Sequence, residues 1–145
     1  MLSYGQHQKM QNYFPMPNEI FHIDLSDGAI LVYAFLMYCE DRKTYQCHPS
    51  YATIGKAIKR SENSVAKYVR ELEEKRLIYT EPTEVTLKDG RRHNGSLLYT
   101  IRPIAEAVEY ACEQQMLCLQ AECRHQKVIQ KLQKMQGSIV KQEKA

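Results

Sequence analysis

The stretch SYATIGKAIKRSENSVAKYVRELEEKR, Ser50 to Arg76, decides how the chain is read. Its apolar residues describe two helices joined by a short polar turn. The first covers Tyr51–Ile58, the joint is Lys59-Arg60-Ser61, and the second covers Glu62–Lys75. Ile54 and Ile58 fall on one side of the first helix. Val65, Val69 and Leu72, at i, i+4 and i+7, fall on one side of the second. Ser50 is placed to cap the first helix. A short helix, a tight turn and a longer second helix is the arrangement whose second helix can enter a major groove.

Upstream, Ser26-Asp27 opens another helix that runs to about Cys39, with Ser26 as N-cap and Asp27 at the positive end of the helix dipole. Ile30, Leu31, Ala34, Phe35 and Tyr38 recur at spacings of three and four and are expected to form its buried face. That face would pack on the two central helices as a three-helix core. Thr44 to Cys47 reads as a short strand. Tyr13-Phe14-Pro15-Met16-Pro17 is extended, since each proline turns its predecessor away from helix, and Ile20 to Ile23 anchors this arm. Residues 1–13 are polar and expected to be flexible.

Downstream of Arg76 the period changes. Leu77 to Thr80 is apolar and β-prone, Pro82 breaks or bulges it, and Val85 to Leu87 continues it. Lys88-Asp89-Gly90 and Asn94-Gly95 are turn signals, and Leu97, Tyr99 and Ile101 return on one strand face. A β-hairpin, or wing, with a basic tip of Lys88, Arg91, Arg92 and His93 is therefore predicted. From Ile104 to about Gln136 no proline or glycine interrupts a run of helix formers, which gives one long helix or two with a break, and Gly137 is expected to stop the run before a polar tail. Val128, Leu132, Met135 and Ile139 form one stripe, and Cys112, Met116, Leu119 and Cys123 another in a different register. Such a helix cannot bury its stripes alone, so a partner subunit, giving a homodimer, is expected to cover it. The predicted organisation is a flexible segment at 1–13, a core domain at 14–103, a C-terminal helix at 104–136 and a polar tail at 137–145. The fold class is mainly α with a small β wing plus a long C-terminal helix.

Composition narrows the possible functions. At 145 residues, 43% hydrophobic and 26% charged, the chain can bury one core and an extension. The net charge of +3 is unevenly spread: residues 50–76 carry seven Lys/Arg against four Asp/Glu, whereas residues 1–49 carry three against five. Five cysteines without regular spacing argue for free thiols in a reducing, cytoplasmic setting. No apolar run reaches the roughly 18 residues of a membrane span, and the N-terminus lacks a leader's hydrophobic core. Ser64-Val65-Ala66-Lys67 matches S-x-x-K without its companion motifs. Cys118, Cys123 and His125 have poor spacing for a metal. No phosphate loop, dinucleotide fingerprint, paired carboxylates or nucleophile set is present, so neither an enzyme nor a cofactor is expected.

The order helix, short strand, helix, helix, hairpin is that of a winged helix-turn-helix. Two segments reinforce it: His48-Pro49-Ser50-Tyr51-Ala52-Thr53-Ile54-Gly55, and Ser61-Glu62-Asn63-Ser64-Val65 leading to Leu72-Glu73-Glu74-Lys75-Arg76-Leu77-Ile78. They resemble bacterial winged-helix proteins of plasmids, phages and conjugative elements. Phe14 to Phe21 with Leu25-Ser26 resembles the opening of the N-terminal domain of the plasmid replication-initiator A family. The resemblance covers about residues 14–102 and implies DNA binding in replication initiation or transcriptional control. Lys59-Arg60 and Arg76 stand where that pattern often has glycine.

On a wheel turning about 100° per residue, Val65, Val69 and Leu72 face the core. Asn63, Lys67 and Arg70 face out, flanked by Ser64 and Arg60. Arg and Lys can bridge guanine O6/N7, and Asn can pair with adenine N6/N7, so Asn63, Ser64 and Lys67 are the expected base readers. Arg70 would read a base or hold a phosphate. Ser50, Tyr51 and Thr53, with the free N–H groups of their helix, would clamp phosphate. Lys56 and the wing's Lys88, Arg91, Arg92 and His93 would add charge contacts near the minor groove. The partner so implied is double-stranded DNA. The alternative is a winged helix used for protein–protein contact, its charges merely a solvated face.

Overall fold

The computed structural model describes residues 12–143. The flexible segment expected at 1–13 thus lies, apart from Asn12 and Tyr13, outside the described residues. The chain divides into two units, Met1–Val108 and Glu109–Ala145. The first contains a short 3-10 helix Asn18–His22, α1 Asp27–Cys39, β1 Gln46–Cys47, α2 Tyr51–Ile58, α3 Glu62–Glu74, β2 Ile78–Glu81, β3 Glu84–Thr86, β4 Arg92–Asn94 and β5 Leu98–Ile101. The final helix, α4, covers Ile104–Glu143.

Helices α2 and α3 form because Ser50 and Ser61 cap them: the Ser50 Oγ accepts from the Thr53 N–H and the Ser61 Oγ from the Ser64 N–H. Between them Lys59 takes a left-handed conformation, φ 59°, and its N–H donates to the Gly55 carbonyl. The Arg60 N–H donates to the same oxygen at 2.9 Å. A Cβ on Gly55 would lie 2.6 Å from the Arg60 carbonyl oxygen, so the turn closes this tightly only over a residue without a side chain. Arg76, φ 60°, closes α3 in the same conformation. Both basic residues standing in glycine-favoured positions therefore adopt the backbone that glycine would.

Ile54, Val65, Val69 and Leu72 are buried as their spacing predicts. Helix α1 is rotated from its expected orientation. Its buried residues are Gly28, Ala29, Val32, Tyr33 and Leu36, whereas Ile30, Ala34 and Phe35 are half-buried and Leu31 and Tyr38 exposed. Nearly every residue from Gly28 to Cys39 is apolar, so more than one stripe satisfies helical spacing. Tertiary contacts choose between them. The Ser26 N–H and Oγ donate to the two Glu71 carboxylate oxygens at 2.8 and 2.6 Å. The Tyr68 ring covers Gly28 so closely that a Cβ there would lie 2.0 Å from it. These contacts pin the start of α1 to α3 and turn Ala29, Val32, Tyr33 and Leu36 inward.

The predicted hairpin is present but divided. Strand β5 pairs antiparallel with β1 on one side and β2 on the other, with Cys47 opposite Tyr99 and Ile78 opposite Ile101. Strands β3 and β4 form a separate two-stranded sheet, with Val85 opposite His93. Pro82 and Gly95 interrupt the ladder, bridged by the Gly95 N–H on the Thr83 carbonyl at 2.7 Å and by the Thr83 hydroxyl on the Ser96 carbonyl. The inner ladder carries the buried Ile78, Tyr99 and Ile101, and the outer one is exposed throughout.

The first turn of α4 belongs to the first unit, where Ala107 is fully buried. The helix does not stop at Gly137 but continues to Glu143, with the Ser138 hydroxyl donating to the Lys134 carbonyl at 3.0 Å. A glycine within a helix costs only about 1 kcal/mol, and the helix formers on either side outweigh that. In the second unit Met116, Leu119, Val128, Leu132, Met135 and Ile139 are exposed. Among the described residues no helix is long and apolar enough to cross a membrane.

Candidate nucleic-acid interface

The caps and the Gly55 turn place the start of α3 beside the end of α2. Burial of Val65, Val69 and Leu72 on one side leaves Asn63, Lys67 and Arg70 exposed on the other. Ser64 is half-buried, and its hydroxyl lies 3.0 Å from that of Ser61, so it takes part in the cap that orients α3.

Two of the four acidic residues of α3 are engaged by other elements. Glu71 holds the α1 N-terminus, and Glu73 accepts a hydrogen bond from the Thr80 hydroxyl on β2. Only Glu62 and Glu74 are both acidic and exposed on this helix. The cationic character of the outer face is therefore greater than a count of charges suggests. Sequence reasoning missed this because it cannot show which way Glu71 turns, although Ser26, its partner, was recognisable as a cap.

The N-terminus of α2 differs from expectation in one respect. The Thr53 N–H donates to the Ser50 Oγ at 3.1 Å, and the two hydroxyls are 2.8 Å apart. That N–H is thus committed to the cap, leaving the hydroxyls to meet a phosphate. Tyr51 is half-buried. Burial raises its phenol pKa, Glu73 adds to the shift and Arg70 opposes it, which places Arg70 within electrostatic reach of the same corner. Lys56 is exposed on α2. Arg60 meets Asp27 at 3.6 Å in a solvent-exposed pair. Such a pair is weak and readily exchanged for another anion.

Two of the wing's cations, Arg91 and Arg92, are partnered within the wing. Arg92 lies 3.6 Å from Glu84 across the β3–β4 ladder, and Arg91 lies 3.7 Å from Asp89 in the turn. Lys88 and His93 are exposed. Lys56, Arg60, Asn63, Lys67 and Arg70 are thus all exposed on α2, α3 and the turn between them, and Lys88, Arg91 and Arg92 are exposed on a distinct hairpin. Among the described residues no group of His, Cys, Asp and Glu is arranged to hold a metal ion.

A helix, a short strand, two helices and then β2 and β5 flanking the β3–β4 hairpin make the chain a winged helix-turn-helix protein extended by a long C-terminal helix. Residues 24–78, from before α1 into β2, match a family model described as a helix-turn-helix domain. No curated protein matches the chain. Among solved structures it is similar to a possible transcriptional regulator from Methanosarcina mazei Go1, at 17% identity and a TM-score of 0.46 over 70% of this chain and 78% of that one. It is also similar to the MepR–DNA complex of S. aureus, at 19% identity and a TM-score of 0.37 over 83% and 86% of the two chains. A third similar structure is a cysteine-to-serine mutant of Lactococcus lactis ZitR in complex with DNA, at 19% identity and a TM-score of 0.35 over 89% and 81%. Likenesses this distant bear no functional argument.

Proposed function

We propose that this chain is a sequence-specific double-stranded DNA-binding protein that inserts α3 into a major groove, and that it controls transcription or initiates replication of a mobile element. The observation that carries this reading is the exposed face of α3. It presents Asn63, Lys67 and Arg70 while two of the helix's glutamates bond to other elements. Asn63 and Lys67 lie early in the helix, where side chains of a grooved helix reach base edges. Arg70 lies a turn further on, and Lys56, Arg60, Ser50, Tyr51 and Thr53 flank the helix where backbone phosphates would pass. The wing would lie beside the minor groove, with Arg91 and Arg92 exchanging Asp89 and Glu84 for phosphate. The match of residues 24–78 to a helix-turn-helix domain supports the same reading.

Two copies would join through the exposed stripe of α4, placing two recognition helices on two half-sites. The test is selection of bound duplexes from random DNA followed by titration against the selected site. The proposal expects a recurrent sequence, affinity that falls with salt, and loss of binding in Lys67→Ala/Arg70→Ala. A folded protein that retains no duplex at low salt contradicts it and leaves the protein-contact reading.

A further inference from the structure

Away from α3, the first unit contains a cavity of about 370 Å³ between α1, the β1–β5 edge and the first turn of α4. This is within the ~300–1,000 Å³ of small-molecule sites. Met37, Ile101 and Ile104 supply apolar walls. Besides Tyr33 and Arg102, two features break that lining. One is Glu40, whose Oε2 is buried and has no hydrogen-bond partner among the described residues. The other is Tyr45, an aromatic side chain 58% exposed on a residue held at φ 57°.

Tyr45 is fixed in that conformation from both sides. Its N–H donates to the Asp41 carbonyl at 2.7 Å and its carbonyl accepts from the Ile101 N–H at 2.9 Å. A left-handed, non-glycine residue is disfavoured and persists where the surroundings demand it. Here it sets an aromatic ring on the cavity's edge. Arg102 also borders the cavity, but its Nε lies 2.7 Å from the Glu106 carboxylate, so its charge is already matched. Arg42 borders an adjoining hollow that Glu40 shares and offsets part of the carboxylate's field. The cavity therefore combines apolar walls, an exposed aromatic face and a carboxylate oxygen without a donor.

We propose that this cavity binds a small organic cation, an apolar body carrying a protonated amine or quaternary ammonium, with the charge at Glu40 and beside the Tyr45 ring. A carboxylate lacking a donor is satisfied by a cationic N–H, and an aromatic face attracts the same charge. The apolar body would take the Met37, Ile101 and Ile104 walls. Neither interaction favours a neutral ligand of the same shape, and Glu40 repels an anionic one.

The probes are 2-phenylethylammonium, its neutral isostere 2-phenylethanol and its anionic counterpart phenylacetate, titrated calorimetrically into the full chain. In parallel, the ¹³C-methyl resonance of Met37 is followed. The expected result is saturable binding of the ammonium, about tenfold or more tighter than either counterpart, with the Met37 methyl shifting in step. Glu40→Gln, checked for an unchanged melting temperature, should erase that preference, and Tyr45→Ala should weaken the ammonium alone. The comparison of probes on the unaltered chain stands even if a variant misfolds. Absence of saturable ammonium binding, equal affinity for all probes, or a preference that survives Glu40→Gln would overturn the proposal.

Discussion

At the residue scale, the turn between α2 and α3 shows where side-chain identity and backbone demand diverge. Lys59 adopts φ 59°, a conformation that costs a side-chain-bearing residue about 1–2 kcal/mol and glycine little. Lys59→Gly is expected to stabilise the fold by about 0.5–1 kcal/mol, since glycine's extra unfolded-state entropy offsets part of the relief; urea midpoints measure it. Tyr99 offers a second case. It is fully buried, and its hydroxyl has no hydrogen-bond partner among the described residues. Burial, then the charges of Tyr51, Cys47 and Glu73, raise its pKa. Tyr99→Phe removes an unsatisfied polar group without a cavity, so it should be neutral or stabilising by up to about 1 kcal/mol in the same assay. Both positions were visible in the sequence as types, Lys59 as a departure from glycine and Tyr99 on a strand face. The φ angle and the orphaned hydroxyl were not, because each is set by neighbours distant in sequence.

At the scale of elements, the bounds of α2 and the start of α3 agree with the reading from the Ser50 cap and apolar spacing, because those signals are local. The orientation of α1 does not agree. An all-apolar helix contains several stripes, and the Ser26–Glu71 and Gly28–Tyr68 contacts that select one join residues far apart in the sequence. The same contacts draw Glu71 away from the outer face of α3, which the charge pattern had left ambiguous. If Asn63 reads a base and Lys56 meets a phosphate, their substitutions should differ in kind. Asn63→Ala is expected to cost about 1–3 kcal/mol on the selected site and little on other duplexes, relaxing preference at one base pair. Lys56→Ala should weaken all duplexes alike and lower the salt slope by about one. Competition binding across single-base variants separates the two, and an Asn63→Ala loss uniform over all sequences would remove it as a reader.

At the scale of the whole molecule, two units with different needs share one chain. The first buries a core that runs from Ile20 to Ala107. The second exposes Met116, Leu119, Val128, Leu132, Met135 and Ile139 along a continuous helix. The start of that helix and its helical character were legible as a run of helix formers after Pro103. Its passage through Gly137 was not, since a single glycine weakens a helix without deciding its end. The account expects a second copy: sedimentation equilibrium at micromolar concentration should give twice the 16.9 kDa chain mass, and Leu132→Glu/Met135→Glu should return it to a monomer with the winged unit still folded. A monomeric mass for the unaltered chain would refute this. The central claim, that the α2–α3 corner grips duplex DNA, is tested most directly by affinity for the selected site as salt is varied. Log K should fall linearly against log salt with a slope of about −4 or steeper, as several phosphates are neutralised, and Lys67→Ala/Arg70→Ala should lose specific binding. A folded chain that fails to bind any duplex at low salt, or whose affinity ignores salt and both substitutions, would contradict it.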